Sequence, residues 1–66
     1  MLNVKFKLVE SNKRYKYNCE YIANTSSKHP ETTFITWVVN GQLHKLSYNT
    51  EDVETYFLEG LWIEII

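Results

Sequence analysis

Cys19, His29 and His44 are the side chains of this sequence that most often act as nucleophiles, proton shuttles or metal ligands. A structural zinc site needs four ligands, and these three are too few and too scattered along the chain to form one. Cys19 lies among alternating tyrosines, where a thiol is more often buried and inert than reactive. No serine, cysteine or carboxylate stands at a spacing that would tie it to His44. We therefore expect a protein that is not an enzyme.

Three acidic residues close together, Glu51, Asp52 and Glu54, are a second candidate for metal binding. They follow Asn49 and Thr50, however, and acids in the first turn of a helix are explained by the helix dipole alone. The chain has two glycines, far apart and each suited to a turn, so it has no glycine-rich loop that would cradle a phosphate. We expect no metal and no cofactor.

The stretch NKRYKYNCEY, residues 12–21, interleaves basic residues with tyrosines. Lysine and arginine side chains that contact phosphates, together with tyrosine rings that stack on nucleobases, would make this a nucleic-acid-binding surface. Strict alternation in a strand instead places the bases on one face and the rings on the other. If the first two strands pair, one sheet face carries a candidate basic patch of Lys5, Lys7, Arg14 and Lys16. Outward positions of a sheet are commonly basic, so nucleic-acid binding stays an alternative.

The net charge of −1 hides a division of charge along the chain. Residues 1–20 carry five bases and two acids, a net charge of +3, whereas residues 49–66 carry five acids and no base, a net charge of −5. A dedicated nucleic-acid binder is usually net basic, and this chain is not. The charge pattern predicts a dipolar surface that orients the chain on a partner.

Hydrophobic periodicity predicts four strands, one helix and a final strand. Residues 2–9 and 14–22 alternate as half-buried strands, and residues 24–32 form a polar loop. Asn40-Gly41 predicts a type I′ turn between residues 32–39 and 42–48, which places Val39 opposite Gln42 and Trp37 opposite His44. A short helix begins at Asn49 or Thr50 and ends at Gly60, and LWIEII closes the chain as a strand. The sequence thus predicts an α+β fold, a small antiparallel sheet of about five strands in the order β-β-β-β-α-β with one helix packed on one face.

Two apolar surfaces are candidates for partner binding. The hairpin face with Trp37, His44 and Tyr48 either packs against a helix stripe of Val53, Tyr56 and Phe57 or forms an exposed aromatic binding face. The strand LWIEII is apolar on both sides, and one helix covers only one of them. We therefore expect a homo-oligomer with Trp62 and Ile66 in the contact and Leu61 and Ile63 as further partner-binding residues.

Length and composition limit the class of protein. At 66 residues, 44% of them hydrophobic, the chain makes a single folded domain, residues 1–66, near the lower size limit for folding alone. A single cysteine excludes an internal disulfide and favours a reducing, cytoplasmic setting. No stretch approaches the roughly 18 apolar residues that span a bilayer, so we expect no membrane partner.

The end of the chain, YNTEDVETYFLEGLWIEII, resembles the cap, helix, glycine, tryptophan and strand endings of small bacteriophage accessory proteins of unassigned role. This resemblance implies a factor of phage or mobile-element origin that acts in the host cytoplasm by occupying the surface of a host defence or regulatory protein. Two alternatives stay open from the residues: a nucleic-acid binder that uses the basic strands, and an oligomeric sponge that holds an anionic nucleotide signal between subunits.

Overall fold

A computed structural model describes residues 2–9 and 19–65 of the chain. The predicted α+β fold is confirmed, because the elements are one antiparallel five-stranded sheet and one helix. The strands run in the spatial order β4-β3-β2-β1-β5. In chain order the elements are β1 (Asn3–Leu8), β2 (Tyr21–Thr25), β3 (Thr32–Val39), β4 (Gln42–Asn49), α1 (Thr50–Leu58) and β5 (Trp62–Glu64).

The β3–β4 hairpin has the predicted register. Val39 faces Gln42 and Trp37 faces His44 across a two-residue turn. Asn40 and Gly41 both have positive φ angles, 51° and 78°, as a type I′ turn requires. The pairing then continues without interruption to Thr32 and Asn49, so β4 is a regular strand of eight residues.

The second strand lies later in the chain than predicted. Cys19 and Glu20 are outside it, and it runs on to Thr25, inside the segment that was predicted as a loop. The remainder of the predicted strand, residues 14–18, lies outside the described residues. The prediction was wrong at Thr25 because a hydroxyl suits a loop equally well, whereas this side chain is buried and hydrogen-bonded.

The sheet is strongly curled. Its outermost strands are β4 and β5, which a flat sheet would hold about 19 Å apart at roughly 4.8 Å per strand. Yet helix α1 contacts both of them, and the rings of Tyr48 on β4 and Trp62 on β5 have centroids 5.6 Å apart. The curled sheet therefore wraps its concave face around the core, and one helix of nine residues covers one end of that face.

The core is aromatic and lies on the concave face. Phe6 and Val53 are completely buried, with Ala23, Ile35 and Tyr21 around them. Trp62 and Phe57 complete the cluster from β5 and from the helix by packing on the Phe6 ring. Contacts between aromatic rings thus connect both edge strands of the sheet to each other and to the helix.

Buried threonine hydroxyls form a continuous hydrogen-bond chain between the sheet and the start of the helix. The Thr50 hydroxyl donates to the carbonyl oxygen of Pro30 at 2.7 Å, so its oxygen can only accept from Thr33, 2.8 Å away. By the same argument Thr33 accepts from Thr25 at 3.1 Å, and Thr25 accepts from the amide of Leu2 at 2.7 Å. The chain holds the helix start, where Asn49 makes no side-chain cap.

Candidate protein-binding surface around strand β4

Strand β4 forms an open edge of the sheet and is exposed along nearly its whole length. It pairs only with β3, and of its eight residues only Tyr48 is half-buried. Two large aliphatic side chains of the strand are exposed on opposite faces: Leu43 is 70% exposed and Leu46 is 50% exposed. An edge of this length with apolar side chains is a template for pairing with another chain.

The turn fixes which backbone groups of β4 point outwards. In a two-residue hairpin the residues that flank the turn, Val39 and Gln42, exchange hydrogen bonds, and bonded and non-bonded pairs then alternate. The hydrogen bond from the Thr50 amide to the Glu31 carbonyl, 2.8 Å, falls in the same series of bonded pairs and so agrees with this alternation. The amides and carbonyls of Leu43, Lys45 and Ser47 therefore face away from β3. They offer three donors and three acceptors to an added strand.

An apolar cleft opens on the concave side of this edge. It has a volume of about 180 Å³ and lies between the middle of β4 and the core rings, beyond the end of the sheet that the helix covers. Leu46 and Tyr48 line it from β4, and Trp62 lines it from β5. An apolar cavity of about 150 Å³ is known to accept benzene, so this cleft has room for one large apolar group.

The predicted aromatic face lies at this cleft. Trp37 also lines it, and the imidazole of His44 stacks on the Trp37 indole with ring centroids 5.4 Å apart and planes 17° apart. Trp37 further packs on Tyr21 at 5.3 Å. Tyr48 contacts the helix residue Tyr56 at 6.4 Å, and both Trp37 and Tyr48 pack against the core cluster that includes Val53 of the helix. Trp37 and Tyr48 are thus both half-buried at the margin of the core, whereas His44 is exposed.

The convex side of the same edge is different in character. The ammonium group of Lys45 lies 4.2 Å from the centroid of the Phe34 ring, a cation–π contact between β4 and β3. Next to this pair is a wide, shallow groove of about 690 Å³ whose lining includes Lys28, Asn3 and Asn24. Cationic and amide groups thus lie with the Phe34 ring on the convex side of β4, whereas the rings of the core cluster lie on the concave side.

The residues of the final strand separate onto the two faces. Trp62 stacks on Phe6 inside the core, and Leu61 and Ile63 are exposed, at 43% and 42%. Ile66 lies outside the described residues. Of the four residues predicted to bind a partner, Leu61 and Ile63 are therefore available on the surface, whereas Trp62 has its contacts within the chain.

The candidate basic patch is only partly described. Lys5 is exposed and Lys7 is half-buried on β1, and Arg14 and Lys16 lie outside the described residues. Cys19 is half-buried against the core cluster. Within residues 2–9 and 19–65, no cluster of histidine, cysteine and acidic residues is arranged to hold a metal ion. No helix in that part of the chain is long and apolar enough to cross a membrane.

Comparison with known proteins identifies no relative. The chain matches no protein-family model, and neither a curated protein sequence nor a solved structure matches it. What this surface does must therefore be argued from its own geometry.

The edge position of β4 and the exposure of Leu43, Lys45 and Leu46 were not predicted from the sequence. The hairpin register places these residues correctly relative to β3, but it does not say which hairpin strand lies at the outside of the sheet. The sequence did carry one signal for the exposed apolar side chains: β4 has an aliphatic residue on each face, although only one face of the strand can pack on the core.

Proposed function

We propose that this chain is a small, non-catalytic protein-binding module that pairs an extended segment of a partner protein with the free edge of β4. The observation that carries the proposal is the run of outward backbone groups at Leu43, Lys45 and Ser47, flanked by exposed aliphatic side chains on both faces. Strand addition of this kind draws affinity from main-chain hydrogen bonds and specificity from alternate side chains.

The wider role that we propose follows the resemblance of the C-terminal segment to small phage proteins. In this role the chain is a phage or mobile-element factor that acts in the host cytoplasm and inhibits a host defence or regulatory protein by occupying a strand-binding surface. An eight-residue edge strand is long enough to cover such a surface, and inhibition by occupancy requires no catalytic group.

The proposal is tested by removing one backbone N–H group that faces away from β3 while the rest of strand β4 is kept. In Lys45→Pro the lost N–H is one that faces away from β3, a position where an edge strand tolerates proline. The matched control, Lys45→Ala, loses the side chain and keeps the amide. We expect the wild type and Lys45→Ala to capture the same protein from host lysate and Lys45→Pro to lose it, with circular dichroism showing that all three are folded.

Capture that survives in folded Lys45→Pro would overturn pairing at β4. Mass spectrometry of the captured material for both proteins and nucleotides also separates the proposal from its alternatives. A nucleotide that co-purifies with the chain, with no captured protein, would instead support the sponge.

A second candidate function, binding of an anionic nucleotide or nucleic acid, is favoured by the convex groove. Lys28 and Lys45 line it together with the Phe34 ring, which supplies charge and a ring face in one place. The groove is wide and its lysines are exposed, so a phosphate there would keep most of its water. We rank this function below protein binding for that reason.

A further inference from the structure

An antiparallel strand added to β4 has a fixed relation to the two faces of the sheet. Residues directly opposite each other share a face, so a partner residue opposite Leu46 points to the concave side. Partner residues opposite Lys45 and Leu43 point to the convex side. Leu46 belongs to a pair that is hydrogen-bonded towards β3, so its pair with the added strand is non-bonded, the type whose side chains approach more closely.

The concave position opposite Leu46 lies at the mouth of the apolar cleft. Leu46 is half exposed and forms the β4 wall of that cleft, with Trp37 and Tyr48 beside it. The volume of about 180 Å³ fits one phenylalanine-sized or leucine-sized group. The lining residues are aromatic and aliphatic, with no charged side chain among them. A charged partner residue would lose its hydration here without compensation, so this position selects a large apolar side chain.

The convex positions select by charge and by shape. Lys45 is exposed, and no acidic residue occurs in β4 or in β3, its paired strand. An acidic side chain opposite Lys45 forms a cross-strand ion pair that no residue of these two strands already supplies. Leu43, 70% exposed, offers an aliphatic surface two residues further along the same face.

We infer that the partner segment reads, from its N-terminal end, large apolar, acidic, any residue, aliphatic, with its first residue in the cleft, its second opposite Lys45 and its fourth opposite Leu43. This inference rests on the proposed pairing at β4 and adds the chemistry of the partner. In an antiparallel strand the residue that follows the one opposite Leu46 is the one opposite Lys45, which fixes the order.

The probe that tests the inference is a displayed library of random linear peptides, selected separately on the wild-type chain and on Lys45→Glu. We expect the wild type to enrich the apolar, acidic, any, aliphatic pattern and Lys45→Glu to enrich a basic residue in place of the acidic one. In an enriched peptide, replacing the apolar residue by alanine should weaken binding at least about tenfold. Reversing the acidic residue to lysine should weaken binding up to about fivefold on the wild type and strengthen it on Lys45→Glu.

The outcomes separate this inference from the proposed function. Enriched peptides that require the Lys45 amide, as judged with Lys45→Pro, but lack the pattern would overturn the inference and leave strand pairing in place. Enriched peptides that bind folded Lys45→Pro equally well would overturn the inference, because they bind elsewhere. If no peptide is enriched on the wild type, the inference that the partner presents a linear segment is overturned. The proposed function is then tested separately, by lysate capture with Lys45→Pro.

Discussion

The rings of Phe6 and Trp62 lie face to face, with centroids 4.5 Å apart and planes 15° apart. Phe6 belongs to β1 and Trp62 to β5, the edge strand beside it. The same Phe6 ring also stacks on Tyr21 at 5.5 Å and meets the edge of Phe57 at 5.3 Å. One side chain thus joins two neighbouring strands and the helix, which makes it the central packing residue of this small core.

Phe6→Ala should unfold the protein or nearly so. Removing a completely buried ring costs about 3–5 kcal/mol, a large part of the free energy of unfolding of a domain of this size. Urea titration followed by circular dichroism measures the loss. Leu58→Ala is the control, because Leu58 is 88% exposed and its truncation should change stability by less than about 0.5 kcal/mol. A cooperative transition at the wild-type midpoint in Phe6→Ala would contradict this packing role.

Trp37→Ala should have a mixed effect, because Trp37 is half-buried and also lines the cleft. We expect the loss of stability to be smaller than the roughly 3–5 kcal/mol of a fully buried ring. We also expect weaker binding of peptides that place an apolar residue in the cleft. Thermal melting and peptide titration on the same sample measure both effects. An unchanged melting temperature together with lost binding would assign Trp37 to the interface alone.

Thr33→Val should destabilise the protein although it preserves the shape of the side chain. The substitution leaves the Thr25 hydroxyl without its acceptor and the Thr50 oxygen without its donor, both in buried surroundings. Unpartnered buried polar groups cost about 1–3 kcal/mol. Thr55→Val is the matched control, because the Thr55 hydroxyl bonds the Glu51 carbonyl at an exposed site. Equal stability of the two variants in urea would show that the hydroxyl chain contributes nothing.

We predict that the chain associates with itself through the exposed apolar residues of its final strand. Ile63 is exposed on the convex side, where the helix does not cover it, so Ile63→Ser should lower the mass measured by light scattering. Leu58→Ser removes an exposed aliphatic residue of the helix and serves as the control. The mass of a single chain over a wide concentration range in the wild type would contradict self-association and leave Ile63 to a different partner.

We predict no tight, general binding of DNA or RNA. The described lysines are few, and the five acidic residues of segment 49–66 offset them, so few counterions can be released from a nucleic acid. A gel shift at physiological salt with random-sequence DNA should show no complex at micromolar protein. Micromolar affinity that is lost in the double variant Lys5→Glu, Lys16→Glu would instead support the basic strands as a nucleic-acid surface.

Local signals predicted the parts of the fold that depend on neighbours in the chain. Asn40-Gly41 fixed the hairpin register because both residues must adopt positive φ angles. The helix ends before Gly60, whose φ is 77°, as its position after an amphipathic stretch indicates. Alternation also placed Trp62 and Ile63 on opposite faces of their strand.

Features that depend on distant parts of the chain were not predictable. The continuation of β2 to Thr25 rests on a hydroxyl chain whose members come from three separate segments. The cleft beside Leu46 exists only because the sheet curls and brings β4 towards β5. Alternation within one strand carries no information about strand order, so the open edge could not be assigned from the pattern.

The pairing of β1 with β5 sets the order in which the sheet can assemble. Phe6 faces Glu64 in this pair, so its loop closure spans almost the whole chain, whereas the β3–β4 hairpin closes over two residues. Closing a long loop is slow because the chain loses conformational entropy before the contacts between its distant segments form. We expect the hairpin to form early and the β1–β5 pair to form last. Until then β1 is the second edge of the sheet, and it is replaced there by the three-residue strand β5 only at the final step of folding.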